Sequence, residues 1–131
     1  MAVAIAMHHD NDPAAEIKAN VGDVSSVEVF HNLVLVGTYI RPEKTKSGLF
    51  LGDQARDEDK WQGKVGLVLK VGPLAFVDDD RINFAGVSIK DYDWVMFRPS
   101  DGFQLTVNGH HCRLLEDSHI KGRIEAPDVL W

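Results

Sequence analysis

The sequence predicts an all-β domain folded as a small barrel, and three observations carry that expectation. Val65, Leu67, Leu69 and Val71 alternate with Gly66, Val68 and Lys70, the two-residue period of a strand with one strongly buried face. Asn108-Gly109 stands between the segments 103–107 and 110–115, and this dipeptide readily takes the positive φ angles of a two-residue hairpin turn. Other short apolar segments follow at close spacing with turn residues between them, which leaves little room for helix. Closing such strands into a barrel removes the edges that an open sheet would expose.

Taken in order, residues 1–26 are irregular. Asn11-Asp12-Pro13 and Gly22-Asp23 bracket a short possible helix at 14–20 with little apolar periodicity to dock it, so a mobile extension is expected. Residues 33–40 read as a strand. The connection 42–62 is rich in charge but holds an isolated apolar triplet, Leu49-Phe50-Leu51, after Ser47-Gly48; a loop of that length inside a compact domain is usually functional or disordered. After the strand at 65–71, a second connection, 72–93, carries Leu74-Ala75-Phe76-Val77, then Asp78-Asp79-Asp80, then residues 81–84, and reads as an acidic-tipped hairpin. Asp101-Gly102 offers a turn after the apolar segment 94–97, so residues 94–115 are expected to form a three-strand meander. A tail, 126–131, follows the body at 27–125.

With 131 residues and 44% hydrophobic side chains, one core serves the whole chain. A net charge of −6 and the absence of a basic stripe oppose nucleic acid as a partner, because backbone affinity comes largely from neutralising phosphates. The apolar run 1–7 is too short to cross a bilayer and lacks a basic leader. No membrane contact is therefore expected. The single cysteine, Cys112, cannot form an internal disulfide, which fits a reducing, cytoplasmic setting.

Catalytic and metal chemistry find little support. His110, His111 and Cys112 are adjacent on a strand, where neighbouring side chains point to opposite faces, and His8-His9 with Asp10 and Asp12 lacks a rigid frame. No metal is assigned. Cys112 reads as core, without a cationic neighbour to lower its pKa. Asp78, Asp79 and Asp80 read as solvated turn residues. There is no nucleophile elbow, phosphate loop or dinucleotide fingerprint, so neither an enzyme nor a cofactor is expected.

The order of motifs over residues 27–124 resembles the GroES-type, ten-kilodalton chaperonin family. Residues 32–36, Asn-Leu-Val-Leu-Val, look like its first long strand; residues 43–51, Glu-Lys-Thr-Lys-Ser-Gly-Leu-Phe-Leu, resemble its mobile loop; Gly63-Lys64-Val65 through Val71-Gly72 is similar to the strand that follows. Residues 91–97 look like the family's Val-Gly-Asp-x-Val-x-Phe segment, with Tyr92 where glycine is usual, and residues 103–124 resemble its closing hairpin and last strand.

The resemblance implies an irregular GroES-like barrel in a sevenfold ring, capping a GroEL-type chaperonin and assisting ATP-dependent folding. It assigns Ser47, Gly48, Leu49, Phe50 and Leu51 to the chaperonin-binding loop and Asp78, Asp79 and Asp80 to a roof hairpin facing the ring centre. Val27 and Val29 would meet Ile120 and Ile124 of a neighbour at the subunit interface. The long start, the tail and Leu-Phe-Leu in place of Ile-Val-Leu are departures that a divergent or phage-encoded version would show. Two other readings stand beside it: the triplet as an ordinary core strand, and the barrel as a structural module of a larger, viral assembly.

Overall fold

A computed structural model describes residues 12–42 and 52–127. The elements, in chain order, are α1 (Pro13–Val21), β1 (Leu33–Thr38), α2 (Asp53–Gln62), β2 (Val65–Val71), β3 (Trp94–Met96), β4 (Phe103–Val107), β5 (His110–Glu116) and β6 (Gly122–Ile124), with a single 3₁₀ turn at Asp117–His119. The all-β class holds, with two short helices added to it.

The six strands form one antiparallel sheet in the order β4-β5-β1-β2-β3-β6. The β4–β5 hairpin turns on Asn108 (φ 50) and Gly109 (φ 83), as the dipeptide requires. The three-strand meander does not form: β3 lies between β2 and β6, four places from β4. In a flat sheet that separation would be about 19 Å. The connection between them folds back on itself, with Asp101 N donating to Arg98 O at 3.0 Å. Such a short link requires the sheet to coil, although β4 and β6 share no ladder that would close it.

Coiling buries both faces of the central strands. One cluster gathers Val34, Val36, Val68, Val95, Phe97 and Leu115; the other gathers Leu35, Leu67, Leu69, Trp94 and Cys112 beneath Ile17 and Val21 of α1. Residues 65–71 were expected to bury one face, yet Gly66 and Val68 are as buried as Val65 and Leu67. A bulge opposite Leu35 and Val36 shifts the register, so that Val71 packs with the Val68 cluster instead of sharing a face with Leu69.

The helix at the start is docked, contrary to the sequence expectation. Asp12 and Pro13, read as breakers, are its N-cap and first residue: Asp12 Oδ2 accepts from Ala15 N at 3.1 Å, and Gly22 (φ 63) ends the helix with its N–H on Lys18 O. Ile17 and Val21 are buried with Ala14 packed against the same cluster, and Gly37 lets the helix approach closely. A Cβ at Gly37 would lie 2.6 Å from Ile17 Cγ2. None of the described helices is long and apolar enough to cross a membrane.

Candidate functional site

Ser47, Gly48, Leu49, Phe50 and Leu51 lie outside the described residues; what the structure describes is the frame from which residues 43–51 depart and to which they return. On the departing side, Tyr39 is buried against Trp94, with ring centroids 5.8 Å apart, and its N–H donates to Val65 O at 3.0 Å. Arg41 follows, two residues before the segment begins. On the returning side stands α2, which the sequence reading left inside one long connection. Its Gln, Ala, Arg, Glu and Lys favour helix, and Asp53 suits the first turn.

Arg41 and α2 are tied together. The backbone N–H and Nε of Arg41 donate to Asp59 Oδ2 at 2.9 and 3.0 Å, and Nη2 donates to Asp59 Oδ1 at 2.9 Å, a forked pair with Asp59 buried. Arg56 Nε donates to Arg41 O at 3.2 Å. At the other end of α2, the fully buried Arg113 donates through Nη2 to Trp61 O at 2.9 Å, satisfying a terminal helix carbonyl. Through Nη1 it also reaches Asp101 O at 2.9 Å and Pro99 O at 2.5 Å, and its guanidinium lies over the Phe97 ring. Gly63 permits the turn out of α2, since a Cβ there would lie 2.7 Å from Asp59 O.

The triad His110, His111 and Cys112 serves this frame. His111 Nδ1 lies 2.9 Å from Thr38 Oγ1 and Nε2 lies 3.2 Å from Gln104 Oε1, while His110 Nε2 meets Thr38 O at 3.1 Å. Burial, reinforced by Arg113, pulls the His111 pKa down to about 4, and burial pushes the Cys112 thiol up to about 11. Both groups are therefore neutral near pH 7. Among the described residues, no three His, Cys, Asp or Glu side chains converge as a metal site would require.

Residues 72–85 form a loop without ladder pairing, closed by side chains. Asp79 Oδ1 accepts from Arg81 N and Ile82 N at 2.8 and 2.9 Å, which lowers its pKa, and Asp78 Oδ1 accepts from Phe84 N at 2.6 Å. Asp80 is exposed at the tip. The base of the loop is held by the buried Asp117, which accepts from Phe76 N at 3.1 Å and from Asn32 Nδ2 at 3.1 Å. Between this loop and residues 117–123 lies a cleft of about 580 Å³ lined by Phe76, Phe84, Val87 and Ile120.

Val27 and Val29 fall in a stretch, 24–30, that joins no ladder; both are half-buried against the Leu35 cluster, and Lys70 Nζ donates to Val27 O. Ile124 ends β6, which among the described residues pairs with β3 along one edge only, and Ile120 packs on the opposite cluster.

The sequence profile of the chaperonin 10 Kd subunit family matches residues 26–124, the entire sheet. The chain belongs to this family. Among curated relatives, the co-chaperonin GroES of Dinoroseobacter shibae is 35% identical over 95 residues, covering 72% of this chain and 85% of that protein. Co-chaperonin GroES 5 of Rhizobium meliloti is 29% identical over 96 residues, 73% and 86% of the two chains. Co-chaperonin GroES of Ruegeria pomeroyi is 29% identical over 100 residues, 76% and 99%. The family match begins after α1, so that helix is an addition to the family's domain.

At one departure from the family pattern, the backbone shows why glycine suits the position. Tyr92, where glycine is usual, takes φ 72, the left-handed conformation that glycine adopts freely. Lys18 of α1 places Nζ 3.9 Å from the centre of the Tyr92 ring. Sequence reasoning missed Arg41, Asp59, Arg113 and Asp117. Arg113 alone left a signal, a cation set between the apolar Cys112 and Leu114-Leu115.

Proposed function

We propose that this chain is a co-chaperonin subunit that assembles into a ring, sevenfold as in the family pattern, and caps a GroEL-type chaperonin during ATP-dependent protein folding. The observation that carries the reading is the family match across the whole sheet, together with an apolar triplet placed in the polar segment between Arg41 and α2. Leu49, Phe50 and Leu51 are the anchors, with Ser47 and Gly48 leading into them. Nucleotide binds the partner, and no residue here is given a catalytic step.

Energetics favour several loops acting together. Burying the three anchors contributes roughly 1.5–3 kcal/mol each. Ordering the segment that carries them opposes this at about 1–2 kcal/mol per residue, so one loop binds weakly and reversibly. On a ring, each further loop engages at high effective concentration, and weak contacts sum to a firm but releasable cap. Residues 24–30 and the open edge of β6 support ring closure through Val27 and Val29 of one subunit against Ile120 and Ile124 of the next. Asp78, Asp79 and Asp80 would then line the central opening.

Replacing Leu49, Phe50 and Leu51 together with serine is expected to leave the ring intact and abolish capture by a chaperonin in the presence of ATP. Negative-stain microscopy of the wild-type mixture should show capped chaperonin. Isolated rings or lattices instead would identify a structural module, and unchanged capture by the triple variant would remove the anchor assignment.

A further inference from the structure

Arg41 lies two residues before the proposed chaperonin-binding segment, and α2 begins two residues after it. Between these points the chain could have been slack from 42 to 62, as its composition suggests. Instead, Asp59 receives three hydrogen bonds from Arg41, one of them from the backbone, and Arg56 returns a bond to the Arg41 carbonyl. Both sides of the segment are thereby fixed at one point on the barrel, and Arg113 fixes the far end of α2 through Trp61 O. We infer that Arg41, Asp59 and Arg56 form a clamp that sets the free length of the chaperonin-binding loop, making them positioning residues for capture. The inference rests on the loop reading above.

The physical reason is the cost of closing and ordering a chain. With the clamp formed, the chain between its two fixed points runs from Pro42 to Gly52; with it broken, α2 is released as well and the chain between fixed points roughly doubles. Each doubling weakens closure by about threefold in equilibrium constant. Loops acting together multiply that factor, so two engaged loops lose about tenfold. Asp59 is buried and forked to Arg41, which suits a fixed tie better than a surface ion pair would.

The test measures ATP-dependent capture by purified GroEL-type chaperonin, using full-length ring protein, for wild type, Asp59→Asn, Arg56→Gln, Arg41→Lys and the Leu49/Phe50/Leu51 triple-serine variant. Asp59→Asn should bind about tenfold or more weakly and Arg56→Gln about threefold more weakly, while Arg41→Lys, which keeps one charged contact, should lie between wild type and Asp59→Asn. Hydrogen exchange of α2 amides should quicken in the same order, and a free peptide of residues 43–51 should compete equally well against every variant. Full affinity for Asp59→Asn in an assembled ring overturns the clamp. Should Asp59→Asn fail to assemble, Arg56→Gln decides, and wild-type affinity there overturns it. Loss of capture by the triple variant with none by the clamp variants defeats the clamp alone; retained capture by the triple variant defeats the loop reading itself.

Discussion

Single side chains in this domain matter most where they stand in for something the backbone needs. Arg113 satisfies carbonyls at Pro99, Asp101 and Trp61 from a fully buried position, with no carboxylate among those partners. Arg113→Met should therefore cost about 2–4 kcal/mol, as three carbonyls, that of the buried Asp101 among them, lose a charged donor; urea unfolding followed by Trp fluorescence checks this. His111 gives a pH dependence. Its folded pKa, about 4, lies below the 6.5 of an exposed imidazole, so the unfolded chain binds the proton more readily. Its contribution is complete above pH 6.5 and is lost as the pH falls toward 4, by at most about 3 kcal/mol. Melting temperature between pH 7 and 4 should fall less steeply for His111→Gln than for wild type.

At the scale of elements, the two helices differ in how they are held. α1 is held by burial: Ile17 and Val21 cover the Leu35–Leu69 face, and Gly37 gives them room. Ile17→Ala should cost about 2–4 kcal/mol by cavity formation. Gly37→Ala should cost about 1–3 kcal/mol by forcing the helix outward, and thermal unfolding of both variants separates a lost contact from a blocked approach. α2 is held by hydrogen bonds and charge, with few apolar contacts, so its stability depends on Asp59 and Arg113. That contrast explains why α1 was half legible, its caps misread as breakers, whereas α2 was invisible: nothing in its sequence repeats with the period of a buried face.

For the whole molecule, coiling of the sheet decides what is exposed. Among the described residues it leaves the outer edge of β6 unpaired, and it ties Arg41, on one side of the segment 43–51, to α2 on the other. If rings form through those edges, Ile124→Asp should shift the protein toward monomer in analytical ultracentrifugation while the sheet signal in circular dichroism persists. A monomeric wild type at micromolar concentration would count against ring closure.

The positions of β1, β2 and β3 were legible in the sequence as short apolar runs, the β4–β5 hairpin because few dipeptides other than Asn108-Gly109 tolerate those angles, and β6 only through the family's order of motifs. The family was legible from the order of its motifs. Only the tertiary structure decided the neighbour of β3, the docking of α1 and the pairing of Arg41 with Asp59. Those outcomes depend on which surfaces meet after the sheet coils. Periodicity records that a side chain is buried, but not what it is buried against.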